Sequence, residues 1–144
     1  MTSQLDNATL RKRVEPTFPF WDMLHLALER VDEPGHAVLS MPMRDQLVTR
    51  RAGVMHGGAI ASLIDAAAGA ALVTLRDEDD ETWQGIATLD MNVSYLNAAL
   101  GDVIAEAKVL RASSTIVFLT VDVLDTDGKH IATGRTTYTI LRKR

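Results

Sequence analysis

VMHGGAIASLIDAAAGAALVTL, residues 54–75, decides the fold of this chain. A His-Gly-Gly turn opens it, and small apolar residues follow with Gly69 as the one helix-weakening residue in their midst. Ile60, Leu63, Ile64, Ala67, Ala71 and Leu75 recur at steps of three and four, and the alanines leave little bulk on the other faces. This spacing predicts a buried helix that a sheet can approach closely. A membrane span is rejected, because the run is mostly Ala and Gly and a central Asp costs roughly 2.5 to 3.5 kcal/mol on insertion.

That central residue, Asp65, is the only charge in the run. A carboxylate among Ile64, Ala66, Ala67 and Ala68 loses hydration and needs a partner or a chemical task. Two placements compete: a thin polar stripe shared with Ser62 and Thr74 that faces solvent, or a compensated position in a cleft.

The rest of the sequence bounds the answer. A length of 144 residues fits one domain, and 47% hydrophobic residues mark it as globular. The net charge of −4 argues against nucleic acid as the main partner. There is no cysteine, so disulfides, thiolate nucleophiles and Cys-ligated zinc are excluded. His25, His36, His56 and His130 lack ligand-like spacing, so no metal site is expected. The start, MTSQLDNATLRKRVEP, has no apolar core of a secretory signal, which places the protein in the cytoplasm.

In chain order, residues 1–17 read as a polar N-terminal tail, and residues 18–144 as a single domain. Phe18, Phe20, Trp21 and Leu24 predict a short helix capping the core. Strands are expected at 26–32 and 36–43, joined by the turn Glu33-Pro34-Gly35. A polar loop, RDQLVTRRAG, leads into the His-Gly-Gly turn, and the charge run at 76–81 reads as a solvated connection. Alternation then predicts strands at 85–97, 102–111, 115–124 and 129–141, with Asp127-Gly128 as a hairpin turn. In the first of these, Ile86, Thr88, Asp90, Asn92 and Ser94 share one face, and Ala87, Leu89, Met91, Val93 and Tyr95 the other. The expected class is α+β: a long central helix wrapped by a curved antiparallel sheet of about six strands. Such a sheet leaves open edges, so the chain is expected to pair with itself.

The turn His56-Gly57-Gly58 has a chemical use beyond an ordinary helix start. The first N–H groups of a helix lack internal partners and carry the positive end of its dipole, and glycine lets a substrate oxygen come close. The Gly57 N–H is therefore a candidate oxyanion donor. Asp65 lies eight residues later, roughly 12 Å along a helix, so the two cannot serve one small reacting centre from one chain. A two-fold dimer resolves this by presenting Gly57 of one subunit to Asp65 of the other.

GVMHGGAIASLID, the alternating TLDMNVSYLNAA and the closing AEAKVL and ATGRTTYTI together resemble the hotdog-fold acyl-CoA thioesterases of the PaaI-like, phenylacetate-pathway type, over approximately residues 18–141. The resemblance implies hydrolysis of an acyl-CoA to a free acid and CoA, without a cofactor. It implies that Asp65 is general base or nucleophile, that Gly57 supplies the oxyanion N–H and that His56 shapes the turn. Thr88 is implied to orient water or carboxylate. The family commonly has Asn or Gln six residues before the His, where this chain has Arg50, which accepts no hydrogen bond. Arg50, Arg51 and Arg111 are expected to serve the CoA phosphates, with Gly58 beside them at the substrate. A homodimer, and a dimer of dimers, is the expected assembly. Phe118, Tyr95, Met91 and Met55 are candidates for an aryl or aliphatic pocket. The competing reading is a non-catalytic acyl-CoA-binding protein of the same fold.

Overall fold

The computed structural model describes residues 6–144; the first five positions of the expected tail lie outside them. Three helices and six strands follow in the order α1 (Asn7–Val14), α2 (Pro19–Leu24), β1 (Ala27–Arg30), β2 (His36–Met41), α3 (Gly57–Val73), β3 (Trp83–Tyr95), β4 (Val103–Ala112), β5 (Ile116–Asp125) and β6 (His130–Arg142). All strand pairs are antiparallel, and the sheet runs β1-β2-β4-β5-β6-β3. The chain thus crosses from β2 through α3 to the far edge of the sheet. Among the described residues no helix is long and apolar enough to cross a membrane.

α3 is the spine of the core, with Ile60, Leu63, Ile64, Ala67, Ala68, Ala70, Ala71 and Leu72 buried. Its closeness to the sheet is written into both partners. A Cβ at Gly134 of β6 would come within 2.9 Å of Ile64 Cγ2, so any side chain there would force helix and sheet apart. The facing strands supply Val103, Ala105 and Ala107 from β4 and Val117, Leu119, Val121 and Val123 from β5, all buried on the alternating pattern. Full burial of each larger side chain stabilises the fold by roughly 1.5–3 kcal/mol.

β3 departs from strict alternation. Its register against β6 shifts between Thr88 and Asp90, a bulge that turns Leu89 outward, 58% exposed. Before the bulge Ile86 packs on the core and Thr88 reaches α3; after it Met91 and Val93 pack on the core and Tyr95 reaches α3. The two-face division expected from the sequence therefore holds only on either side of Leu89.

The N-terminal segment is also a correction. Residues 7–14 form a helix rather than a frayed lead-in. Asp6 caps it by accepting from the Thr9 N–H at 2.8 Å, and Leu10 and Val14, four apart, are buried. Arg11 donates to the carbonyls of Leu28 and Glu29, and Arg13 to that of Thr74. In the charge run, Asp80 is not merely solvated: it pairs with Arg142 at 2.6 Å and accepts from the Thr82 hydroxyl.

Thr74 proves fully buried, not part of a solvent-facing stripe. Its hydroxyl donates to Ala71 O at 2.6 Å and accepts from the Gly35 N–H at 2.7 Å, tying the end of α3 to the β1–β2 turn. Replacing Thr74 by Val keeps the volume but strands a buried N–H, which costs about 1–3 kcal/mol. Urea unfolding of Thr74→Val is expected to show that loss, with Thr74→Ser recovering most of it.

Candidate active site

Asp65 sits half-buried midway along α3. Its Oδ1 accepts from the Thr88 hydroxyl at 2.8 Å and from the Tyr138 hydroxyl at 2.6 Å; Tyr138 also lies 2.7 Å from the Asp65 carbonyl. The sheet makes this convergence possible, because Thr88 and Tyr138 face each other across the β3–β6 ladder. No cationic side chain among the described residues pairs with Asp65, so its charge is held by neutral hydroxyls. Burial, and then the bond to Asp65, push the Tyr138 phenol far above its usual range. Tyr138 therefore stays protonated, a permanent donor.

Tyr138 was not among the residues singled out from the sequence. Its signal was its place on the buried face of β6 with Ala132, Gly134, Thr136 and Ile140, since a buried phenol needs a hydrogen-bond partner. That pattern shows that a partner exists but not which one.

Polar accounting at the start of α3 isolates one donor. His56 is the N-cap: its Nδ1 accepts from the Gly58 N–H at 2.8 Å, which assigns the ring proton of the neutral form to Nε2. Its carbonyl takes the N–H groups of Ala59 and Ile60, and its own N–H goes to Leu47. Among the described residues the Gly57 N–H is left without an acceptor. Gly58, the second residue of α3, is not a free donor, since its N–H is committed to His56. The Tyr95 ring lies against Gly57, where a Cβ would meet Cζ at 3.2 Å, and the Tyr95 hydroxyl donates to Gly57 O at 2.7 Å.

Asp65 and Gly57 open into different cavities that share no lining residue. One, of about 340 Å³, holds Asp65, Thr88 and Tyr138; α3 contributes Ser62, Ala66, Gly69, Ala70 and Val73, and the segment from α1 to α2 contributes Arg13, Val14, Pro16, Phe18, Phe20 and Trp21. The other, of about 410 Å³, lies over Gly57 and is lined by Met55, Ile60, Tyr95 and residues 96–99. Within one chain the two groups are thus kept apart, as their eight-residue separation along α3 requires. Arg50, Arg51 and Arg111 are exposed and line neither cavity. Phe118 is exposed on β5 and Met91 packs on the core, so neither lines the Asp65 cavity. Among the described residues no cluster of three His, Asp or Glu could hold a metal ion.

Comparison with known proteins identifies the family. Residues 52–132 match the family model of the thioesterase superfamily. A protein of Saccharolobus solfataricus named as an esterase is 34% identical over 134 residues, 92% of this chain and 89% of its own length. The medium/long-chain acyl-CoA thioesterase YigI of Salmonella typhimurium is 32% identical over 133 residues, covering 85% of each chain. The solved structure of a thioesterase-superfamily protein superposes with a TM-score of 0.80 at 29% identity, over 92% of this chain and 98% of that one. The PaaI protein of Escherichia coli shares the fold, with a TM-score of 0.77 at 17% identity over 94% of this chain and 91% of its own. A six-stranded antiparallel sheet around one long helix and a match of this extent lead to one conclusion: the chain belongs to the thioesterase superfamily of hotdog-fold enzymes.

Proposed function

We propose that this thioesterase hydrolyses acyl-CoA, with the active site assembled from two protomers. The observation that carries the reading is the pairing of opposites: one committed carboxylate, Asp65, and one uncommitted N–H, Gly57, in separate cavities of the same chain. The 13-residue β3 lies at the sheet edge, with Leu89 and Tyr95 more than half exposed at 58% and 52%. It holds Asp65 through Thr88 and Gly57 through Tyr95. Pairing two copies of β3 antiparallel about a two-fold near the middle of the strand brings Thr88 toward Tyr95 of the partner subunit. Asp65 then faces Gly57 of the partner subunit.

In that groove the thioester carbonyl oxygen accepts from the partner's Gly57 N–H, a hydrogen bond that strengthens as negative charge develops on the oxygen. Asp65 takes a proton from water as the water oxygen bonds to the carbonyl carbon. The tetrahedral intermediate collapses, the C–S bond breaks, and the CoA sulfur leaves with the proton from Asp65. Direct attack by Asp65, through an anhydride that water then opens, uses the same groups. Thr88 and Tyr138 both bind Oδ1, which leaves Oδ2 as the reacting oxygen. Arg50, Arg51 and Arg111 reach CoA phosphates from the surface rather than the reacting centre.

Asp65→Asn is expected to lower kcat for acyl-CoA hydrolysis by roughly 10² or more with an unchanged melting temperature. Retained turnover would exclude the acid, and tight acyl-CoA binding by the parent without turnover would favour a binding protein. Tyr138→Phe removes one of two bonds to Oδ1, and kcat should fall about tenfold at constant KM through misplacement of the carboxylate. Light scattering at micromolar concentration should give at least twice the 15.7 kDa of one chain; a monomer that hydrolyses at full rate would overturn the shared site.

A further inference from the structure

Arg13 is a half-buried cation whose hydrogen-bonding capacity the fold leaves partly unused. Its Nη1 donates to the carbonyl of Thr74 at 2.6 Å, at the C-terminal end of α3. Its Nε is buried with no hydrogen-bond partner, and no carboxylate among the described residues pairs with it. A buried Nε–H with no acceptor costs free energy, unless something else supplies one.

Its position says what that is. Asp65, Gly69 and Val73 recur every four residues along one wall of the Asp65 cavity, so the cavity follows the α3 axis. Asp65 marks one end with Thr88 and Tyr138. Ile86 lies across from Gly69 in the middle, 3.5 Å from where a Cβ would stand. Arg13, bonded to Thr74, marks the other end, beside Val73. The eight residues from Asp65 to Val73 span about 12 Å, and hydrogen-bonding reach takes about 3 Å at each end. About 6 Å remain, the length of a short acyl chain, and the aromatic side chains of Phe18, Phe20 and Trp21 line it.

We propose that Arg13 binds the far end of the acyl group, and that this cavity takes acyl chains of about six to eight carbons ending in a carboxylate. The inference rests on the proposed acyl-CoA hydrolysis and adds a substrate class to it. A carboxylate at that end gives Arg13 the counter-charge it lacks and offers Nε an acceptor; a methyl group leaves both unanswered.

The test compares adipoyl-CoA with hexanoyl-CoA, and suberoyl-CoA with octanoyl-CoA, in the parent, Arg13→Met and Arg13→Lys. The parent is expected to favour the carboxylated member of at least one pair by tenfold or more in kcat/KM. Arg13→Met should bring that ratio to one or below, and Arg13→Lys should retain part of it. Calorimetric binding of the same thioesters to Asp65→Asn should show the same order of preference. Hydrolysis by the parent with no such preference, or a preference that survives in Arg13→Met, overturns the assignment of Arg13 while leaving acyl-CoA hydrolysis standing. Should Arg13→Met fail to fold, the parent's ratios and the binding order still decide. Binding preference without turnover of any thioester overturns hydrolysis and supports the assignment.

Discussion

A single carboxylate in an otherwise apolar helix has to be answered by the sheet that covers it. Asp65 is half-buried and loses part of its hydration, so an unanswered charge there would draw on the small stability margin of a domain this size. The answer comes from one rung of the ladder, Thr88 on β3 and Tyr138 opposite it on β6, and it works because the helix lies close to the sheet. Closeness depends in turn on Gly134 beneath Ile64 and on the alanines of α3. Packing and chemistry therefore share one requirement: a bulkier interface would lift Asp65 away from its two donors.

β3 carries the second requirement. A strict two-residue alternation cannot direct both Thr88 and Tyr95 at the same helix, because their positions differ by an odd number. The bulge at Leu89 supplies the extra residue that lets one strand serve both ends of α3. It does so on an edge strand, where a local break in the ladder is tolerated best.

Much of this was legible from residue order alone. The small apolar residues and steps of three and four placed α3, and His-Gly-Gly placed its start to within a residue. Alternation and Asp127-Gly128 placed β4 to β6 within a residue or so of their ends. Asp65 stood out as the lone charge, and Thr88 does bond to it. What escaped was what depends on distant contacts. Two apolar residues four apart in a polar segment are too weak a signal for α1, whose burial of Leu10 and Val14 comes from tertiary packing. The bulge leaves no mark in the alternation of LDMNV. Thr74 looked like surface because a hydroxyl's partners, Gly35 and Ala71, are known only once the turn folds back. Tyr138 reads as one more inward residue until the register sets it opposite Thr88.

The contact between Tyr95 and Gly57 makes positions 57 and 95 a matched pair. Because the ring occupies the space a methyl group would need, Gly57→Ala alone trades a steric clash for nothing, and shortening Tyr95 alone opens a gap and frees the Gly57 carbonyl. Changed together, the two penalties overlap instead of adding. Natural or laboratory variation at this helix start is thus expected to arrive as coordinated double changes, and a library that varies either site singly would mistake a coupled position for an immutable one.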